Sequence, residues 1–381
     1  MRIVPIPFCF FLMLMFTLIV SSAALAENEE TIRILIGNFY KEFSVSGIGL
    51  KVISIEGGKK SSYLFKQNIL IIYRAKQGLK INKNYVRGNQ FIVSSTAGEL
   101  AINGIVYGGT IELIPKGEQE IQLINEITLE HYLEGLISLE LSPRWDITTM
   151  KVQAVVARTY ALYQRKINSG NSHHITSSVL HQLYQGIAHA TGTTRRAVKE
   201  TRGEILTWNG QPIMAVYHSC CGGMTEPAVN VWGEDKPYLR GVFCGMCTAY
   251  EKYFWKLIIP KGTFYNKLRE AGGGKGSGSE YILDIKRTST NRVKQISVTG
   301  DNITVVIYGN DLRSVFGFSN LRSTNFIIKE TTDGYFHFLG TGNGHGVGLC
   351  QWGARARALR GETYYQILHY YYPGTQIKRA Y

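Results

Sequence analysis

Between residues 129 and 167 the hydrophobic period of this chain changes from about two to nearly four, and that switch most restricts the folds open to it. Upstream, over residues 31–125, "TIRILIGN", "NILIIYR", "NQFIVSS" and "TIELIPK" are apolar or alternating runs broken by Gly, Asn and Lys, the pattern of short strands. At 129 the pattern changes: Leu129, Tyr132, Leu133 and Leu136 recur at helical spacing until Pro143 breaks the chain. Asp146 or Thr148 can cap a second helix, in which Met150, Ala154, Ala157 and Ala161 form a narrow face of small residues suited to close packing. Glu140 falls between the two helices. Further on, residues 203–219 read as a hairpin around Asn209-Gly210, and residues 295–309 as strands. Residues 271–280, "AGGGKGSGSE", read as a flexible loop. Helices are expected over 351–359 and in "TYYQILHYYY", which ends before Pro373-Gly374. There is no internal repeat and no βαβ rhythm. The expected class is α+β, a mixed β-sheet core with packed helices and a β-rich N-terminal accessory region.

The first 26 residues have the form of a secretory signal peptide: Arg2, an apolar run from Phe8 to Val20, and Ala24-Leu25-Ala26 at the cleavage position. The run is short for a membrane span, which takes about 20 residues. An uncleaved N-terminal anchor is the alternative, and both readings export the rest of the chain. The organisation expected is a signal peptide over 1–26, an accessory region over 27–99 and a main domain over 100–381. With 44% hydrophobic residues the chain can bury a core. Its 42 Lys and Arg against 28 Asp and Glu leave a formal charge of +14, nearly all of it outside the leader. An exported basic protein meets anionic cell-wall polymer or lipid rather than nucleic acid, although the charge can also serve solubility alone.

Several residues could carry chemistry. Glu140 lies in "ISLELSP" among Ile137, Leu139 and Leu141, and a carboxyl in apolar surroundings can donate a proton near neutrality. A surface glutamate at a helix end is the plainer reading. Arg158 sits on an otherwise small and apolar helix, which suits pairing with a carboxylate or contact with an acidic ligand. His173, His174 and His181 lie in one polar stretch but lack the spacing of a helical metal pair. Five cysteines remain outside the leader. Cys220 and Cys221 face Cys244 and Cys247 across about twenty residues, which reads as disulfide or zinc. Export favours the disulfide, and two adjacent cysteines hardly ligate one zinc. Finally, "NGHGVGLCQWGA", 343–354, sets His345 among glycines and before Cys350 and Gln351. Glycines admit close backbone approach. A His345/Cys350 nucleophilic pair, a polysaccharide-binding edge and a purely structural loop all fit that spacing.

Taken in order, "INEITLEHYLEGLISLEL", "MKVQAVVARTYAL", "YQG" at 184–186, "YHSCCGGMTEPAVNVWGEDKPYLRGV", "GHGVGLCQWGA" and "ILHYYYPGT" resemble the motifs of the stage II sporulation protein D and LytB amidase-enhancer family. The resemblance covers about residues 100–381. It implies a peptidoglycan lytic transglycosylase that cleaves the N-acetylmuramic acid to N-acetylglucosamine bond of peptide-stripped glycan strands. It also implies an alternative, a non-catalytic enhancer that binds peptidoglycan and works with a cell-wall amidase.

Under the resemblance the family's catalytic glutamate maps to Glu140. Gln153, Arg158, Gln182, Tyr184, His345 and Gln351 become candidates for orienting the sugar or the acid. His345 is then expected to line the cleft across from Glu140 and to hydrogen-bond glycan or carboxylate. A transglycosylase needs no second essential carboxylate, unlike an ordinary glycosidase. One clostridial-type zinc site of the family uses Cys and His just before the position of Gln182. Here that stretch, "ITSSVLHQ", keeps only His181, so no metal is expected there.

Overall fold

The structure, a computed structural model, describes residues 29–39, 41–178, 182–272, 282–300 and 303–381. The leader, His181 and all but the first two residues of the Gly-rich stretch 271–280 lie outside the described residues.

The first third of the chain forms two sheets over one core. A seven-stranded sheet runs in the order Ile175–Thr176, Thr31–Phe39, Glu120–Thr128, Thr110–Lys116, Gln90–Ser94, Lys51–Glu56, Lys59–Leu64. A six-stranded sheet runs Ile105–Gly108, Glu99–Ile102, Glu42–Ser46, Ile69–Ala75, Gly78–Ile81, Asn84–Arg87. Alternation decides which face is buried: Ile32 and Ile34, Phe43 and Val45, Leu70 and Ile72 all point into the shared core. The strand Glu99–Ile102 crosses the boundary at 99/100, and both sheets draw strands from either side of it.

Helix α1 (Leu129–Glu140) continues directly from the strand Glu120–Thr128 of the first sheet. It buries Leu129, Tyr132, Leu133 and Leu136, the residues whose spacing predicts it. Helix α2 (Ile147–Ile167) is capped by Asp146, whose carboxylate accepts from the Thr149 amide at 2.8 Å. Its small face, Met150, Ala154, Ala157 and Ala161, packs into the sheet core as the sequence predicts. The opposite face is buried too: Val152, Val155, Val156 and Tyr160 belong to a second core. α2 is thus a central wall rather than a surface helix, and its middle is buried nearly all round, polar Gln153 and Arg158 included.

Helix α3 (Gly192–Glu200) packs on α1 and α2. The second core gathers the strand Glu204–Trp208, the loops around Cys220 and Cys244, and the C-terminal helices. The turn after Glu204–Trp208 uses Asn209 and Gly210, both at positive φ, as an Asn-Gly hairpin turn requires. α4 (Ala228–Trp232) is a single short turn. A third core follows, built from two three-stranded sheets with α5 (Lys261–Ala271) and α6 (Gly309–Phe316). The chain then returns to the second core through α7 (Gln351–Leu359) and α8 (Tyr364–Tyr371). Among the described residues no helix is long and apolar enough to cross a membrane.

Candidate active site

Where the second and third cores meet, a cleft of about 580 Å³ opens at the end of α1. Glu140, the last residue of α1, reaches it from one side. Tyr217, His218, Ser219 and Trp232 line it, together with Asn310 and Arg313 of α6. The loop Asn343 to His345 and Gln351 complete it. Glu140 is the one carboxylate among the described residues that line the cleft.

Two chain segments meet there in parallel: Tyr217 pairs with Leu349 and His218 with Cys350. The glycines between Asn343 and Cys350 permit this approach. Gly344, Gly346 and Gly348 all have positive φ, and a Cβ on Gly348 would collide with the Val216 carbonyl. The loop therefore holds its own protein backbone. His345 takes part in the same joint: its Nε2 donates to the Tyr217 carbonyl at 2.9 Å and its Nδ1 accepts from the Val347 amide at 3.2 Å. Both ring nitrogens are thereby engaged, and the tautomer is set. Burial, with the positive charges of Arg313 and Arg292 nearby, holds the His345 imidazolium down to about 3, so the ring is neutral.

This corrects the expectation for His345. It lines the same cleft as Glu140, but its polar atoms face backbone rather than glycan, and it positions Tyr217. Neither does it form a nucleophilic pair with Cys350. That thiol is fully buried and accepts from the amides of Cys221 and Gly353 at 3.3 and 3.4 Å.

Glu140 is half-buried. Burial raises its pKa, against the opposing pull of Tyr217, the Leu183 amide and Gln351. The Leu183 amide lies 3.4 Å from Oε1. No basic residue occupies the last turn of α1, and the partial negative charge of the helix C-terminus further disfavours the carboxylate. The surroundings form a chain of polar groups. Tyr132 donates to Gln182 Oε1 at 2.8 Å, and Gln182 lies beside the Tyr217 hydroxyl. On the other side Gln351 Nε2 donates to Gln153 Oε1 at 3.4 Å. Three buried atoms here have no partner: the Tyr217 hydroxyl, His218 Nε2 and Gln153 Nε2. His218 Nδ1 donates to the Val347 carbonyl at 3.0 Å, which leaves Nε2 as a free acceptor, and burial keeps the ring neutral.

Gln153, Gln182 and Gln351 thus lie in this polar chain, with Gln351 alone of the three on the cleft surface. Two other candidates lie elsewhere. Arg158 is fully buried and makes a bidentate pair with Glu130, at 2.7 Å from both Nε and Nη2, and also donates to the carbonyl of Glu204. Its carboxylate partner is internal, and it is a structural pin. Tyr184 packs against Tyr107 and Tyr132 and donates to Asn125 at 3.0 Å, within the sheet core. Its neighbour in sequence Leu183, not Tyr184, faces the cleft.

Tyr217 and Trp232 lay inside a quoted motif without being singled out. Arg313 and Asn310 come from the third core, where no sequence signal marks them. His174 accepts from the Arg33 amide at 3.2 Å, and burial with Arg165 and Arg33 lowers its pKa to about 4.

The disulfide expected among Cys220, Cys221, Cys244 and Cys247 is not formed. All five described cysteines are free thiols; Cys221 and Cys247 sulfurs lie 3.5 Å apart, well beyond the S–S bond length of about 2.05 Å.

Comparison with known proteins agrees with this layout. Residues 117–208, from the sheet core through α2 to the start of the second core, match the SpoIID family, described as Stage II sporulation protein. Residues 247–348, which contain the third core, match a domain family of unknown function. An uncharacterised protein of Brachyspira hyodysenteriae is 32% identical over 335 residues, covering 85% of this chain and 89% of the relative. Stage II sporulation protein D of Bacillus subtilis is 31% identical over 70% of this chain and 79% of its own length. The amidase enhancer of Bacillus subtilis is 29% identical over 74% of this chain, which spans 45% of that longer protein. On this evidence the chain belongs to the SpoIID/LytB family, that of stage II sporulation protein D and the amidase enhancer.

Proposed function

We propose that the chain is an exported peptidoglycan lytic transglycosylase with Glu140 as its acid and base, acting in sporulation or cell-wall remodelling. The observation that carries this reading is Glu140 itself, the one carboxyl among the described residues that line the cleft, its pKa raised by burial. Hydrolytic glycosidases use two carboxyl groups, one as acid and one as base or nucleophile. One carboxyl suffices when the nucleophile belongs to the sugar. Glu140 gives its proton to the oxygen between N-acetylmuramic acid and N-acetylglucosamine, and the bond from that oxygen to muramic C1 breaks. The muramic 6-hydroxyl oxygen then bonds to C1, closing a 1,6-anhydro ring, and its proton returns to Glu140. No water is consumed. Trp232, partly exposed in the cleft lining, offers an aromatic face to a sugar ring, and Arg313, which also lines the cleft, suits an anionic substituent.

The test is a digest of peptide-free glycan strands, wild type beside Glu140→Gln, with products weighed by mass spectrometry. The expected products are about 18 mass units lighter than hydrolytic ends, one water, and absent in the variant. Loss of a general acid costs about 10²–10⁴ in rate. Hydrolytic ends, or an active variant, would refute the assignment. The name of the amidase-enhancer relative supports a second reading, a wall-binding module that acts through an amidase. Glycan binding with no product from either protein would select it.

A further inference from the structure

Behind the cleft wall, three separate parts of the chain bring four cysteine sulfurs together. Cys221 lies three residues beyond His218, Cys244 and Cys247 flank the turn at Gly245-Met246, and Cys350 caps the N-terminus of α7. The four sulfurs lie within 4.8 Å of one another, and every one is buried. Tetrahedral zinc with Zn–S bonds of about 2.3 Å places its sulfurs about 3.8 Å apart. The 3.5 Å between Cys221 and Cys247 is close to that spacing.

The surroundings suit thiolates. Two backbone amides donate to Cys350, the Tyr371 hydroxyl lies 3.2 Å from the Cys244 sulfur, and the start of α7 adds its positive end. Buried Arg292 donates to the Cys221 carbonyl and brings a positive charge alongside. Gly353 lets α7 come this near: a Cβ there would strike both the Cys244 sulfur and the Tyr371 hydroxyl. The fifth thiol, Cys220, faces the Cys247 carbonyl at 3.7 Å. The adjacency of Cys220 and Cys221, which argued against a four-cysteine site, is no obstacle, because Cys350 takes the fourth place from across 129 residues.

We propose that Cys221, Cys244, Cys247 and Cys350 form a tetrathiolate site for one zinc ion that clamps the cleft wall. The clamp ties the segment bearing Tyr217 and His218 to the segment bearing Gln351, one residue from a ligand. This holds whether or not the cleft is catalytic. Binding releases thiol protons to solvent, and no redox step is involved.

The test uses the full mature chain, purified without chelator and then reconstituted with zinc or cobalt(II) alone under reducing conditions. Elemental analysis is expected to give about one zinc per chain, and the cobalt form the visible bands and thiolate charge transfer of a tetrahedral site. Cys350→Ser is expected to weaken the charge transfer, and Cys220→Ser to leave it unchanged. The wild-type measurements need no variant to fold. Zinc-saturated protein that retains no metal overturns the site, as does an intact mass showing these cysteines paired in disulfides. A cobalt spectrum lost in Cys220→Ser and kept in Cys350→Ser overturns the ligand set.

Discussion

Helix α1 carries a glutamate at each end, and the two have opposite surroundings. Glu130, in the first turn, receives both forks of Arg158 and the Tyr381 hydroxyl. The positive end of the helix also favours its charge. Glu140, the final residue, has a weak amide contact, an unpartnered tyrosine hydroxyl beside it and no cation paired with it among the described residues. Nothing in the residue type separates them. Position on the helix and the supply of counter-charge make one a structural anchor and leave the other's proton available. A buried polar group that is fully satisfied adds to stability, whereas one left short of partners costs stability and is retained where chemistry uses it.

The contrast can be broken most directly at Arg158. Arg158→Met leaves the Glu130 carboxylate buried without its partner, and the expected loss of stability is about 3–5 kcal/mol. Urea unfolding measures it, and adding Glu130→Gln to the same chain is expected to recover most of the loss. A loss below about 1 kcal/mol would mean that Arg158 is not a pin.

At the other end the sign reverses. Because the native pKa of Glu140 is raised, the folded state favours its protonated form. The native state is therefore penalised as pH rises from the ordinary glutamate range through the raised value, and the penalty is constant above it. Glu140→Gln removes it. The variant is expected to be more stable than wild type at neutral pH. The gain should vanish at acid pH, where both side chains are neutral. Thermal unfolding at the two pH values checks this, and a variant destabilised at neutral pH would place Glu140 with Glu130 as an anchor.

How far this pair was readable from sequence depends on the range of the interactions. The local parts were legible: the cap at Asp146, the small face of α2 and the stop of α8 before Pro373 all follow from neighbours in sequence. The glycines around His345 correctly signalled close approach, but the partner proved to be the backbone at Tyr217, 128 residues away. Arg158 was readable as a cation suited to a carboxylate or an acidic ligand, but not the identity of its partner, because Glu130 lies on another helix. Tyr217 was missed because its importance comes from the parallel pairing of 217–218 with 349–350, which leaves no periodic trace. The Cys-x-x-Cys spacing was visible, while Cys350 joins that cluster through the same long-range pairing. The two ends of the cleft wall come from segments separated by the whole third core, and spacing cannot show that they meet.

Two tyrosines give the finest test, one beside each glutamate. Tyr381 donates to Glu130, so Tyr381→Phe removes a made hydrogen bond to a charged group and is expected to cost about 1.5 kcal/mol or more. The Tyr217 hydroxyl stands beside Glu140 and Gln182 without a close, well-aligned bond to either, and Tyr217→Phe is expected to cost less stability than Tyr381→Phe. Its effect should appear instead in the pH profile. Tyr217 pulls the Glu140 pKa downward, against burial, so its removal lets the value rise further. If Glu140 is the acid, the alkaline limb of the activity profile then moves to higher pH in Tyr217→Phe and stays in place in Tyr381→Phe. A purely structural role for Tyr217 would change the rate at every pH alike and leave the limb where it was. That outcome would separate the hydroxyl from the proton of Glu140 while leaving the contrast between the two ends of α1 intact.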